Sequence, residues 1–267
     1  MFETALFPLN FNETESRIEE MLAFLGHFGT RHVYLLHVVE FGVAAAGRAE
    51  RHLRRIEKTV REKGLEPRVL VRNGSAANEI VRAAEEEEAD YICFTWKRKS
   101  WIQRSILGST TKDVIRLSDK PVFVQKRGRP VPEPGRMSVL YATDFQATDA
   151  NVSPYLRFSG LAAKQLWLIH VGERAPDPQA EANRTALVQD NLERLANEFS
   201  ENFEQCDIIS TVGNPRREVV REARRLGADL IVLGKADVRG TLGAVLGSTA
   251  EEMPHSAKSS VLIIPRR

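Results

Sequence analysis

Short apolar, β-branched runs alternate with longer amphipathic stretches along the whole chain. In the second half the pattern predicts strands over Ser138–Ala142, Gln165–Val171, Asp207–Thr211, Leu230–Gly234 and Ser260–Ile264. Between them it predicts helices near Asn151–Ala163, Gln179–Asn202 and Pro215–Leu226, and a last one from about Ser248. The strands are near-continuous apolar runs without a strict period of two, which is how strands buried on both faces of a parallel sheet read. Strand and helix in strict alternation imply an α/β fold, doubly wound, with helices on both faces of a five-stranded parallel sheet.

The first half repeats the second. Ala5-Leu-Phe-Pro-Leu-Asn-Phe11 aligns with Val139-Leu-Tyr-Ala-Thr-Asp-Phe145, and His32–Glu40 aligns with Gln165–Glu173 after a one-residue slip. Beyond a longer middle segment in the second half, Gly74 and Glu79 pair with Gly213 and Glu218. Ala89-Asp90 then pairs with Ala228-Asp229, and Leu107-Gly-Ser-Thr110 with Leu246-Gly-Ser-Thr249. A match over most of each half is the signature of duplication, so two tandem domains are expected, over residues 1–126 and 137–267. Arg127–Arg136 concentrates Pro and Gly without periodicity and reads as the linker.

Composition narrows the function classes. With 38 Lys+Arg against 36 Asp+Glu, the formal net charge is +2, too small for a nucleic-acid or anionic-membrane surface built on bulk electrostatics. The longest apolar runs fall far short of the ~20 residues a membrane helix needs. Met1–Asn10 shows no basic n-region, long apolar region or cleavage site, which favours the cytoplasm. Cys93 and Cys206 lie in different halves and in no paired ligand spacing, so two free thiols are expected.

In an open parallel sheet, ligands bind outside the C-terminal strand ends where strand order reverses, so the residues after the first and fourth strands matter most. After the fourth strand of the second copy, Gly234, Gly240, Gly243 and Gly247 punctuate a loop running into a helix that starts near Ser248. Such a start offers unpaired backbone N–H groups and a positive dipole end to an anion, with the Ser248 and Thr249 hydroxyls as further donors.

The spacing Gly234-x2-Asp237-x9-Gly247-Ser248 resembles the Gly-x2-Gly-x9-Gly-Ser/Thr signature of ATP-binding universal stress proteins. The first strand with its terminal Asp144, and His170 and Val171 ending the second, extend the resemblance over nearly all of both copies. It implies that Asp144 with the Ala142 and Thr143 backbone holds adenine and ribose, that Val171 packs on the base, and that Gly234, Lys235, Gly247, Ser248 and Thr249 hold phosphates. Gly213, after the third strand, belongs to the same expected cofactor site. The implied ligand is AMP or ATP, with or without Mg²⁺.

Asp237 departs from the signature, standing where it has glycine. A carboxylate near a phosphate costs roughly 1 to 4 kcal/mol at about 4 Å, depending on effective dielectric. Charge-assisted hydrogen bonds of about 1.5 to 3 kcal/mol each oppose it. Binding therefore survives if Asp237 turns away or if Lys235, Arg239 or a divalent ion offsets it, and AMP is tolerated better than in relatives with glycine here. The first copy departs further: Thr95-Trp-Lys-Arg98 replaces the glycine pair, Asn10 replaces the aspartate, and only Gly108-Ser109-Thr110 remains. An impaired or altered site is expected there.

His37 and His170 end corresponding strands without a paired carboxylate motif and read as structural. Trp96 and Trp101, in a basic segment, read as a cover for the altered loop rather than a nucleic-acid stacking surface. The fifth strands, Pro121–Gln125 and Ser260–Ile264, would be edges; in the resembled family that edge is a dimer contact. The expectation is an intrachain pseudo-dimer that leaves homodimerisation to other surfaces. No general base for an attacking water stands out, so a regulatory nucleotide-binding protein with an unidentified protein partner ranks first. A slow ATPase or phosphotransferase and a non-binding scaffold are the alternatives.

Overall fold

The computed structural model describes residues 1–39, 43–96, 109–126, 130–133, 135–146, 148–158, 161–235, 237–238, 245–246 and 253–266, the side chains of 43–46, 237–238 and 245–246 excepted. It divides into two compact units, Met1–Val131 and Pro132–Arg267.

The first unit contains β1 (Thr4–Pro8), α1 (Glu15–Gly26), β2 (His32–Val39), α2 (Val43–Glu62), β3 (Glu66–Asn73), α3 (Ala76–Glu86), β4 (Tyr91–Thr95), α4 (Ser109–Leu117) and β5 (Val122–Gln125). All its strand pairings are parallel and run β3-β2-β1-β4-β5. Helices α1 and α2 pack together, as do α3 and α4, and right-handed crossovers put these pairs on opposite faces. The core follows the sequence periods. In α1 the buried positions Ile18, Met21, Leu22 and Leu25 form one stripe, and β4 and β5 are buried almost throughout. Phe2, Phe24, Phe28, Tyr91 and Phe123 interlock as stacked and edge-on rings. The Tyr91 hydroxyl, sealed among them, meets Thr30 Oγ1 at 2.7 Å, and burial pushes its pKa up.

The second unit contains β6 (Met137–Ala142), α5 (Thr148–Leu156), β7 (Ala163–Gly172), α6 (Pro178–Phe199), β8 (Gln205–Val212), α7 (Pro215–Leu226), β9 (Leu230–Gly234), two-residue strands β10 (Asp237–Val238) and β11 (Val245–Leu246), and β12 (Ser260–Ile264). Its main sheet is again parallel, in the order β8-β7-β6-β9-β12. Helices α6 and α7 begin as Asp-Pro and Asn-Pro sequences should. The Asp177 carboxylate accepts from the Ala180 N–H at 2.9 Å, the Asn214 side chain from the Arg217 N–H at 3.2 Å, and proline takes the first helical position in both.

Two expectations are corrected. The helix expected over 151–163 is shorter and earlier, because Thr148 starts it and Pro154 lies within its last turn, while residues from Ala163 already belong to β7. The glycine loop is not irregular from end to end: β10 and β11 pair antiparallel, Asp237 opposite Leu246.

The repeated Ala-Asp pair fastens the sheet at its N-terminal edge. Asp229 Oδ2 accepts from the Ser138 N–H at 2.9 Å and the Ser138 hydroxyl at 2.7 Å, and Asp90 Oδ2 accepts from the Thr4 N–H at 3.0 Å. Each carboxylate thereby satisfies a backbone donor at the start of the neighbouring central strand. Asp229→Ala should lower the stability of the second unit by about 1.5 to 3 kcal/mol in urea denaturation, and Asp90→Ala should lower that of the first by the smaller end of that range. Unchanged midpoints would show that these bonds are replaced by water at no cost.

Candidate functional site

Strand order reverses between β1 and β4 in the first unit and between β6 and β9 in the second, so the C-terminal ends of these strands frame the site expected in each.

In the second unit, β6 ends at Ala142 and hands the chain to Thr143 and Asp144. Thr143 is buried and fully engaged. Its N–H donates to the Ile169 carbonyl at 3.0 Å, its carbonyl accepts from His170 Nδ1 at 3.0 Å, and its hydroxyl donates to Asp149 Oδ2 at 2.6 Å. Tyr141 also donates to Asp149, whose carboxyl pKa burial raises, with Asp144 adding to the rise. Asp144 is exposed. Its Oδ1 accepts from the Gln146 N–H at 3.0 Å and from the Thr148 hydroxyl at 3.1 Å, fixing the first turn of α5. Thr148 in turn lies against the end of β9: a Cβ added to Gly234 would stand 2.7 Å from the Thr148 Cβ. Asp144, Thr148 and Gly234 thus form one continuous contact across the reversal point.

Lys235 follows, half-buried, its N–H donating to the Ile264 carbonyl at 2.7 Å. Val171 sits half-buried at the end of β7 opposite Thr211. Gly213, after β8, is two strands from β6, and its φ of 145° with Glu218 Cγ at 3.2 Å from a would-be Cβ accounts for glycine there. The structure therefore brings Ala142, Thr143, Asp144, Gly234 and Lys235 together and sets Val171 and Gly213 further out. Asp237 lies on β10; Gly247, Ser248 and Thr249 fall outside the described residues. Thr148 is the member that sequence reasoning missed, although its four-residue spacing from Asp144 at a helix start was the available signal.

The loop leaving β6 is held by a device both copies share. Phe145, at φ 57°, stacks on His170 with centroids 4.5 Å apart, and Phe11, at φ 65°, stacks on His37 at 4.0 Å. His37 Nδ1 meets the Leu9 carbonyl at 2.7 Å, as His170 Nδ1 meets that of Thr143, so in both rings this nitrogen carries the hydrogen. A left-handed non-glycine residue costs about 1 to 2 kcal/mol, which one such bond and one ring stack offset at about 1 kcal/mol each. Both histidines hold the scaffold.

The first unit is built differently where β1 and β4 end. Asn10 Oδ1 accepts from the Asn12 N–H at 3.2 Å, the counterpart of the Asp144 turn without its charge. Thr95 takes the place of Gly234, and buried Trp96 that of Lys235. The Arg17 guanidinium donates to the Trp96 carbonyl, and Lys126 Nζ lies 3.4 Å from the centroid of the Trp96 ring. Burial pushes the Lys126 amine down to about 7, while the π-face favours its charged form. Trp101 lies outside the described residues. The remnant Ser109-Thr110 lines a cleft of about 530 Å³ with Gly74, Ser75 and Asp113, where the starts of α3 and α4 converge.

Among the described residues no group of acidic, histidine or cysteine side chains has the arrangement of a metal site, and no helix is long and apolar enough to cross a membrane. Cys93 and Cys206 are free thiols, both pushed up by burial.

Comparison with known proteins agrees with the duplication. The model of the universal stress protein family matches residues 1–126 and again 136–265. Universal stress protein MJ0577 of Methanocaldococcus jannaschii is 28% identical over 157 residues, 48% of this chain and 96% of that protein. Universal stress protein Sll1388 of Synechocystis is 28% identical over 132 residues, 49% of this chain and 80% of that protein. Among solved structures, a universal stress protein from Archaeoglobus fulgidus superposes with a TM-score of 0.81 at 21% identity, covering 100% of both chains, a likeness of fold.

The approach of Thr148 to β9 leaves no room for a methyl group. Gly234→Ala should cost the second unit about 1 to 3 kcal/mol, read by equilibrium denaturation. A neutral substitution would contradict the close packing of α5 on the strand end.

Proposed function

The chain belongs to the universal stress protein family, with two copies in tandem, and from that premise we propose that it is a regulatory adenine-nucleotide-binding protein whose ligand site is in the second copy. The observation that carries this reading is the contrast at the two reversal points. In the second unit an exposed carboxylate, Asp144, is oriented beside a glycine strand end by Thr148. In the first, Arg17 and Trp96 take up the equivalent strand end and the carboxylate is an amide.

Asp144 Oδ1 is spent on the α5 turn, which leaves the direction of the carboxylate fixed and Oδ2 as the acceptor for a base amino group or ribose hydroxyl. Gly234 leaves the space in which Thr148 packs and so keeps Asp144 in place, and Lys235 supplies positive charge at the same edge. Gly247, Ser248 and Thr249 complete the phosphate contacts, and Asp237 shifts preference toward AMP by repelling additional phosphate charge unless a divalent ion such as Mg²⁺ intervenes. Ligand state then changes the contacts of the second unit with a protein partner.

Calorimetry on the full chain should show saturable AMP or ATP binding. Asp144→Ala and Lys235→Ala should each weaken it at least about tenfold, the value of one charge-assisted hydrogen bond. Asn10→Ala in the first copy should leave it unchanged, and Asp237→Gly should favour ATP over AMP severalfold. Absence of binding by the wild-type chain would leave a scaffold acting through protein contacts alone. Binding lost with Asn10→Ala but kept with Asp144→Ala would move the site to the first copy.

A further inference from the structure

Helices α3 and α7 are equivalent elements with matching inner faces and differently charged outer ones. Glu79, Ile80 and Ala84 of α3 pack inward as Glu218, Val219 and Ala223 do in α7, and each glutamate folds against the positive-φ glycine that precedes its helix. Outward, the stripe Asn78, Arg82, Glu85 becomes Arg217, Arg221, Arg224, all six exposed. Over residues 76–88 the first copy sets five glutamates against one arginine; over 215–227 the second sets five arginines against two glutamates.

The helix dipole accounts for Arg224 and Arg225 in the last turn of α7 but not for the charges at the other ends. Glu85, Glu86 and Glu88 crowd the C-terminal end of α3, and Arg216 and Arg217 the N-terminal end of α7, in each case the helix end whose dipole disfavours them. Glu86 is partnered by Arg72 and Arg82, Arg221 by Glu218 and Glu222, and Arg225 by Glu222. Among the described residues Glu85, Glu88, Arg217 and Arg224 make no ion pair.

We propose that these two faces are a self-association surface: the acidic face of α3 on one chain docks the basic face of α7 on a second copy of the same chain. Antiparallel docking sets the charges that each helix end disfavours against one another, so the partner supplies the neutralisation that the helix lacks. The α7 faces repel one another, and Glu85 and Glu88 repel their own copies, which favours the pairing of α3 with α7. The contact is polar and exposed, so it is weak and screened by salt.

Sedimentation velocity on the full chain over a micromolar-to-millimolar series should show reversible association that weakens roughly tenfold or more between low and high salt. Arg217→Glu/Arg224→Glu should associate at least about tenfold more weakly than the wild-type chain, and so should Glu85→Arg/Glu88→Arg, since each removes the charge contrast between the two faces. Mixed in equal amounts the two variants should associate again, because each now offers the face the other lost. All four positions are exposed, and unchanged thermal melts will verify that both variants fold. A wild-type chain that stays monomeric, variants that associate as wild type does, or a mixture that fails to associate overturns the proposal. So does a monomeric chain whose α7 face instead retains a polyanion such as heparin.

Discussion

The contact on which the second unit's site depends is the approach of Thr148 to Gly234. A parallel sheet exposes its ligand edge only where two neighbouring strands send their chains in opposite directions, and there the outgoing loops must be prevented from closing over the gap. Asp144 holds the Thr148 hydroxyl, and Thr148 sits where a β9 side chain would otherwise stand. The carboxylate expected to face a ligand is thus oriented by the same bond that starts α5. Asp144 Oδ1 is held by both bonds of the α5 turn, which sets the position of Oδ2 as well.

Duplication separates what the fold requires from what the site requires. Both copies keep the strand-edge aspartate, the positive-φ glycine wrapped by a glutamate, and the phenylalanine stacked on a strand-end histidine. These features stabilise a loop or a strand edge in each unit independently of any ligand. The copies part company at the ends of the fourth strands, Gly234-Lys235 against Thr95-Trp96, and at Asp144 against Asn10. Arg17 and Lys126 then converge on Trp96 at the end of β4 in the first copy.

The strands, the order of elements and the duplication were legible in the sequence because buried parallel strands are apolar throughout and because Asn214-Pro215 and Asp177-Pro178 announce helix starts. The α5 boundaries were less legible, since Thr148-Asp-Ala-Asn-Val-Ser-Pro154 has little amphipathic contrast and its start is set by a tertiary bond to Asp144. Thr148 itself was legible only in part: its spacing from Asp144 was visible, but its contact with a strand more than eighty residues later is in no local pattern. Likewise Arg17 carries no motif, and only folding brings it to Trp96. The family resemblance supplied roles for Ala142, Thr143 and Asp144; the structure adds that the Thr143 N–H and hydroxyl serve the scaffold, leaving the outward chemistry to its neighbours.

Asn10 and Thr95-Trp96 against Asp144 and Gly234-Lys235 make the two copies unequal, and ligand stoichiometry reads that inequality. Native mass spectrometry of the intact chain with excess AMP or ATP should show one nucleotide bound per chain, the count expected if only the edge of the second unit is open. Two nucleotides per chain would contradict a site confined to the second copy, and none at saturating concentration would contradict the site itself.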